Sequence, residues 1–221
     1  MKIARANLVD AAISALRTEI LNGRYAPGAR LTEIGLAAEM GIGRSTVRAA
    51  LLELEKDDLV YRSRYSAWSV AELDPRVIWE VYTLRGALEG LAARIVAQSL
   101  SAEGKAMLLA AYQRLQKAEV EGEPAQRIEA DLAFHRAIVR LSGHARLGRD
   151  YDVLAHKIEW IYRWSEQSAP ARIALPDWHK PVLDAVLAGD GDAAERAIRS
   201  IIEASLTEDL AELIAASRKR A

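Results

Sequence analysis

The feature that most constrains the fold of this chain is a helical spacing of apolar residues that continues from residue 75 almost to the C-terminus. Asp74-Pro75 opens this pattern, because Asp is a favoured helix N-cap and Pro is a favoured first helical residue. Helix-breaking residues divide the pattern, and we predict helices at 75–98, 102–121, 124–141, 145–168, 177–188 and 192–216. Residues 73–221 are therefore expected to form a separate, all-helical domain.

The first 72 residues predict a second domain that mixes short helices with strands. Helical spacing predicts helices at 8–21, 32–40 and 44–56, with Thr32 as an N-cap. The stretch 59–70 is rich in aromatic and β-branched residues, which predicts two short strands joined by a turn near 64–67. We therefore expect a mainly α protein with one small β-hairpin.

Composition excludes several classes of protein. The net charge is −1 over 221 residues, which excludes a globally basic nucleic-acid binder but not a locally basic one. The chain has no cysteine, so disulfides and thiolate metal sites are excluded. No apolar run approaches the roughly 20 residues that cross a bilayer, and residues 1–7 lack the apolar core of a signal peptide. We expect a cytoplasmic protein with no membrane partner.

Residues 32–56 have the spacing of a helix-turn-helix, with Gly41-Ile42-Gly43 as the turn. In this motif the second helix enters the major groove of DNA, and its first residues contact bases and phosphates. Here those residues include Arg44, Ser45, Thr46 and Arg48, whose guanidinium and hydroxyl groups suit such contacts. The alternative is an ordinary helical subdomain with a solvated arginine pair.

Residues 8–72 resemble the winged helix-turn-helix of the GntR family of bacterial transcription regulators. The resemblance is carried by residues 20–31, Leu36-Ala37, 41–51, Leu54-Glu55 and Leu59-Val60. It implies operator contacts by Arg44, Ser45, Thr46 and Arg48, and weaker contacts by Arg30, Arg62 and Arg64. It also implies a homodimer that reads the two half-sites of a palindromic, double-stranded DNA operator.

Three residues of the second domain form a candidate metal site. Asp131 and His135 are four residues apart and share one face of a predicted helix, while His179 stands at the start of another. One carboxylate and two imidazoles suit zinc, nickel or manganese. The spacing also allows a simple hydrogen bond between Asp131 and His135, and it allows the metal centre of a hydrolase.

Residues 74–210 resemble the FCD effector domain of the FadR subfamily of GntR regulators. The matching residues are Arg85, Leu88-Glu89, Ala92-Ala93, 131–135, Ser142-Gly143, His179, Gly189-Asp190 and Ala193-Ala194. The resemblance implies an antiparallel bundle of six or seven helices around a cavity. In many members this cavity holds a divalent metal, bound by one Asp and three His, beside a small carboxylate effector. Asp131, His135 and His179 match three ligands, but the fourth position is Ile201, which cannot bind a metal.

We expect Arg85, His135, His179 and Arg163 to contact the effector. Arg85 suits this role because a guanidinium binds a carboxylate through two N–H groups. An ion pair of Arg85 with Glu89, one helical turn later, is the alternative.

The whole chain is thus predicted to be a DNA-binding transcription regulator, and not an enzyme, whose DNA affinity is controlled by a small metabolite. Repression relieved by the metabolite is the behaviour that the resemblance implies. The alternatives are a metal-dependent hydrolase and an adaptor that does not bind DNA.

Overall fold

The computed structural model describes residues 5–63, 67–168 and 177–220. The chain divides into two compact units, Met1–Leu73 and Asp74–Ala221, which are called here the N-terminal unit and the C-terminal unit. Within the described residues, the N-terminal unit combines three helices with a small sheet, and the C-terminal unit is built from six helices. The predicted mainly α fold is confirmed.

The N-terminal unit places its sheet around a buried central strand. Its elements are α1 (Arg5–Leu21), β1 (Arg30–Leu31), α2 (Glu33–Met40), α3 (Arg44–Lys56), β2 (Val60–Arg62) and β3 (Trp68–Val70). The sheet is antiparallel in the order β1-β3-β2, with Leu31 opposite Trp68 and Val60 opposite Val70. Trp68 is almost completely buried and anchors the central strand to the core.

The helix α3 buries one side and exposes the other, as its spacing predicts. Its buried residues are Val47, Ala50, Leu51 and Leu54, and the helix packs against α1 and α2. Burial of four apolar side chains is the main force that seats α3. The side that carries Arg44 and Arg48 is left exposed to solvent.

Two local signals fix the turn between α2 and α3. Thr32 caps α2, since its hydroxyl accepts a hydrogen bond from the N–H of Gly35 at 3.1 Å. Gly41 ends α2 with a φ of 65°, in the left-handed region that glycine adopts most easily. The chain then reverses, and α3 begins at Arg44.

The sheet contains one more strand than the sequence predicts. β1 has only two residues, which is too short to show the alternation that marks a strand. It forms because Arg30 and Leu31 pair with Ser69 and Trp68, which are distant in the sequence. Tertiary pairing decides this strand.

In the C-terminal unit, α4 is surrounded by other helices. The elements are α4 (Pro75–Ser99), α5 (Ala102–Glu121), α6 (Pro124–Leu141), α7 (Ala145–Ser168), α8 (Lys180–Ala188) and α9 (Gly191–Arg220). α4 packs most extensively along α9 and also contacts α6, α7 and α8. It consequently buries the charged residues Arg85 and Glu89 along with its apolar ones.

The start of α4 is as predicted, but the start of α8 is not. Asp74 accepts a hydrogen bond from the N–H of Val77 at 2.8 Å, and Pro75 is the first residue of α4. α8 begins at Lys180 instead of 177, and His179 is its N-cap residue. Just before the helix, the Asp177 carboxylate accepts a hydrogen bond from the N–H of Lys180 at 3.1 Å, as a capping side chain does.

Among the described residues, no helix has both the length and the apolar character that a bilayer span requires.

Candidate functional site

The first candidate site lies at the start of α3. Arg44, Ser45 and Arg48 are exposed there, and Thr46 is half-buried. The N-cap residue is Gly43, so no side chain caps the first N–H groups of the helix. A helix start with uncapped N–H groups beside arginines attracts anions such as phosphate.

Glu33, the first residue of α2, connects the two arginines of this site. Its carboxylate accepts hydrogen bonds from Arg48 Nε at 2.8 Å and from Arg48 Nη2 at 2.7 Å. Arg44 Nη2 lies 3.9 Å from the same carboxylate. The hydrogen bonds from Arg48 lower the pKa of Glu33, so this carboxylate stays ionised at neutral pH. Glu33 is not among the residues that the sequence predicted for this site, although an acid in the first turn of a helix is a recognisable signal.

Strands β2 and β3, which form the wing of the winged helix-turn-helix, contribute further charged and aromatic groups. The Arg62 guanidinium lies 5.7 Å from the centre of a Trp68 ring, and the indole N–H of Trp68 donates to Glu33 Oε1 at 3.4 Å. Arg30 is exposed on β1. Arg64 lies outside the described residues.

The second candidate site lies in the C-terminal unit, where α6 and the start of α8 bring three residues together. Asp131 Oδ1 lies 3.1 Å from His179 Nε2 and 3.8 Å from His135 Nε2, and the two Nε2 atoms are 3.3 Å apart. Donor atoms in a tetrahedral zinc site with bonds of about 2.0–2.1 Å lie about 3.3 Å apart. These residues, called the Asp-His cluster, therefore have the donor types and the spacing of a three-ligand metal site.

Two more carboxylates approach the opposite sides of the imidazole rings. Glu89 Oε2 accepts a hydrogen bond from His135 Nδ1 at 2.5 Å, and Glu119 Oε1 lies 3.6 Å from His179 Nδ1. Carboxylates in this position fix the orientation and tautomer of metal-binding histidines. Both rings accordingly turn their Nε2 atoms toward Asp131.

Opposite charges stabilise the ionised forms in this buried cluster. Burial alone would raise the pKa of Asp131, but His135, His179 and Arg85 hold it well below its usual range. Burial would lower the pKa of His179, yet its contacts with Asp131 and Glu119 raise it to about 9. At neutral pH His179 therefore donates a charge-assisted hydrogen bond to Asp131.

Arg85 forms the ion pair with Glu89 that the sequence offered as an alternative. Its Nε donates to Glu89 Oε1 at 2.7 Å, and its Nη1 donates to the Tyr162 hydroxyl at 2.6 Å. Burial would raise the pKa of Glu89, but Arg85 and His135 lower it to about 2. Arg85 Nη2 and Asp131 Oδ2 are buried and have no hydrogen-bond partner within the part of the chain that the structure describes. Arg85 thus keeps donor capacity even while it pairs with Glu89.

Arg163, the remaining predicted effector contact, has a different partner. It pairs with Glu159 at 2.9 Å, one turn earlier on α7, and its side chain is partly exposed. The structure brings Arg85, His135 and His179 into one bonded group through Glu89 and Asp131. No contact among the described residues joins Arg163 to that group.

Comparison with known protein families identifies both units. Residues 8–70 match the family described as "Bacterial regulatory proteins, gntR family", and residues 80–204 match the FCD domain, which alone spans more than half of the chain. The chain belongs to the FadR subfamily of GntR regulators. Members are transcription regulators that bind DNA operators and are typically dimeric. This regulator is not an enzyme, and the hydrolase alternative has no support.

Individual relatives agree with this assignment along most of their length. A Paenarthrobacter nicotinovorans protein named "Probable D-xylose utilization operon transcriptional repressor" is 28% identical over 188 residues, which cover 85% of this chain and 82% of that protein. The galactonate operon transcriptional repressor of Escherichia coli is 26% identical, and the match covers 94% of this chain and 98% of that protein. The solved structure of E. coli McbR/YncC has a TM-score of 0.76 at 23% identity, and the match covers 93% of this chain and 98% of that one. This last likeness establishes the fold.

Proposed function

We propose that this regulator is a homodimeric repressor whose N-terminal unit binds a palindromic operator and whose C-terminal unit binds a small carboxylate metabolite that weakens DNA binding. Two buried polar atoms, Arg85 Nη2 and Asp131 Oδ2, carry the effector part, because neither has a hydrogen-bond partner among the described residues. Buried polar groups are nearly always hydrogen-bonded. The carboxylate of a ligand would accept a hydrogen bond from Arg85 Nη2, whereas Asp131 Oδ2 needs a donor group of the ligand or a cation.

The DNA-binding part is supported by the exposed residues of α3. Arg44, Ser45 and Arg48 are exposed to solvent and lie in the N-terminal part of α3, the helix that reads the major groove in this motif. Thr46, Arg30 and Arg62 supply further donors for the DNA backbone. Two relatives carry the name repressor, which supports the proposed direction of control.

The effector part is supported by the charges around the Asp-His cluster. A carboxylate that accepts hydrogen bonds from Arg85 Nη2 would also approach the negative charge of Asp131. Such a ligand needs a compensating positive charge, because like charges repel strongly in a buried site. The protonated His179 or a bound cation supplies it.

We further propose that Asp131, His135 and His179 hold one divalent ion, of the zinc, nickel or manganese type. Their donor spacing fits tetrahedral coordination, and Glu89 and Glu119 orient the two rings. Ile201, the fourth ligand position that the resemblance implies, is a buried apolar residue of α9 and cannot bind an ion, so water or an effector oxygen would complete the coordination. When bound, the ion would supply positive charge that attracts a carboxylate.

Control of DNA binding then follows from differential affinity. An effector that prefers one arrangement of the dimer shifts the population toward that arrangement. DNA affinity changes by that preference and by no more, typically about 5- to 150-fold. Because its target is the bacterial chromosome, we place the regulator in the cytoplasm.

Fluorescence anisotropy tests the DNA-binding part. Two duplexes are titrated at two salt concentrations: one from upstream of the regulator's own gene, and one enriched by the protein from a random pool. Binding that exceeds a scrambled duplex by on the order of 10³ supports the proposal. Weak binding that is equal for all duplexes and fades with salt reflects phosphate contact alone and would leave the adaptor alternative.

The same assay tests the effector part. Sugar acids, amino acids and dicarboxylates are added to the preformed DNA complex, with and without zinc, nickel or manganese. We expect a carboxylate to release DNA from the wild-type protein, and to release none at the same concentration from an Arg85→Lys variant, because Lys lacks the second donor of the guanidinium. Release by uncharged ligands alone would contradict the proposed carboxylate site.

A further inference from the structure

We propose that Glu33 is a positioning residue for DNA recognition, which holds the Arg48 guanidinium so that its free Nη1–Nη2 edge meets a guanine base. The inference rests on the proposed operator binding by α3 and adds to it a residue that need not touch DNA itself. The carrying observation is the two-bond contact from Arg48 Nε and Nη2 to the Glu33 carboxylate, at 2.8 and 2.7 Å.

The geometry of the guanidinium explains why this contact does not block recognition. Arginine has five N–H groups in a rigid plane. Glu33 accepts one from Nε and one from Nη2, which together form the side edge of the group. Two parallel N–H groups remain on the Nη1–Nη2 edge. Guanine presents two acceptors, O6 and N7, to this kind of edge in the major groove.

Glu33 is also better anchored than the arginine it holds. Its side chain is 14% exposed, whereas that of Arg48 is 53% exposed. Glu33 follows the N-cap Thr32 at the start of α2, where the helix dipole stabilises a carboxylate, and the buried Trp68 donates a further hydrogen bond to it. A fixed partner lowers the rotamer entropy that a long, exposed side chain loses on binding.

An acid on a DNA-binding surface has an opposing effect that makes the inference testable. The negative charge of Glu33 repels phosphates and offsets part of the attraction of Arg44 and Arg48. Its removal should therefore strengthen non-specific binding. Because the same removal frees Arg48 to rotate, it should also weaken the preference for guanine, so affinity and specificity should change in opposite directions.

The experiment compares full-length variants on one set of duplexes. Wild-type protein enriches duplexes from a random pool, and anisotropy then measures the best sequence together with versions in which each guanine is replaced by adenine. The variants are Glu33→Gln, Glu33→Asp, Arg48→Ala and Glu33→Gln combined with Arg48→Ala. Glu53→Gln is the matched control, because Glu53 is an exposed acid of α3 that pairs with Lys56 and not with Arg48.

We expect wild-type protein to discriminate at one guanine by on the order of 10- to 100-fold, which is the range of one good two-bond contact. Arg48→Ala should lose this discrimination. Glu33→Gln should reduce it about tenfold or more while binding the scrambled duplex more tightly. In the Arg48→Ala background, Glu33→Gln should cause no further loss of discrimination. Glu33→Asp keeps the charge but shortens the side chain, so it should lose discrimination without tighter binding to the scrambled duplex. Glu53→Gln should keep the discrimination.

Three results would overturn the inference. The first is wild-type discrimination in Glu33→Gln. The second is a Glu33→Gln variant that loses the same affinity on every duplex and has a lower melting temperature, because Glu33 then has a structural role alone. The third is an Arg48→Ala variant that keeps every base preference, since Arg48 then reads no base. In the last case operator binding stands, whereas a wild-type protein that enriches no sequence removes the proposed function itself.

Discussion

Two arginine–glutamate pairs, one in each unit, place the same chemistry in opposite surroundings. The pair of Arg48 and Glu33 is at the surface, whereas neither side chain of the pair of Arg85 and Glu89 is exposed at all. Water screens the first pair, so Arg48 can gain an additional partner through its free edge at little cost. The second pair has lost its hydration, and each charge depends on the other. The exposed pair suits recognition, and the buried pair suits a site that must stay in one geometry.

A substitution in the buried pair tests this contrast most strongly. Glu89→Gln removes the charge that compensates Arg85 and accepts the hydrogen bond from His135. We expect the free energy of unfolding of the C-terminal unit to fall by about 3–5 kcal/mol, because one buried charge is left without its partner. Urea unfolding followed by tryptophan fluorescence measures it.

The matched control for Glu89 is Glu159→Gln, which breaks the partly exposed pair with Arg163 on α7. It should cost less than about 1 kcal/mol. Equal losses in the two variants would show that burial does not distinguish these ion pairs.

The geometry of the Asp-His cluster predicts which substitution removes a bound metal ion. His135→Ala removes one of the three donors of the Asp-His cluster, and we expect the protein to lose any ion that elemental analysis finds in the wild type. His144→Ala is the control, because the His144 ring accepts a hydrogen bond from the N–H of Leu147 at the start of α7. An unchanged metal content in His135→Ala would place the ion elsewhere.

At the exposed pair, a substitution should affect binding and not stability. Arg48→Ala is expected to weaken binding to the enriched duplex by on the order of 10- to 100-fold, since a base contact is lost. Its melting temperature should stay close to that of the wild type. Lys56→Ala, at the other end of α3, should leave DNA affinity unchanged; a similar loss there would argue for general electrostatic attraction.

The smallest effect is expected for the wing. Arg62→Ala removes one positive charge that lies over the Trp68 ring. We expect binding to weaken a few-fold on every sequence and the salt slope to fall by about one, which is the effect of one lost phosphate contact. A change confined to one sequence would instead make Arg62 a base-reading residue.

Several features could be predicted because their signals act within a few residues. The caps Thr32 and Asp74 are at the predicted positions, and Val47 and Leu51 face the core as their spacing requires. The resemblance to the GntR family is confirmed, because the motifs that carry it are local strings of residues. Asp131 and His135 lie on one face of α6, with Oδ1 and Nε2 3.8 Å apart, because one helical turn separates them.

The partners of side chains from different elements could not be predicted in this way. The contact of Glu33 with Arg48 and the approach of Glu119 to His179 depend on how helices pack. The two-residue strand β1 likewise exists only through its pairing with β3.

The sequence by itself determined most of the helices and the caps Thr32 and Asp74, because backbone preferences and apolar spacing act over one or two turns. Its motifs also identified the family, through their resemblance to known members. Only the tertiary structure decided that Arg85 pairs with Glu89 and Tyr162, that Arg163 pairs with Glu159, and that His179 joins Asp131. Each of these side chains could pair with any of several polar or oppositely charged residues. Packing distance and burial select between them, and neither quantity is present in the order of residues along the chain.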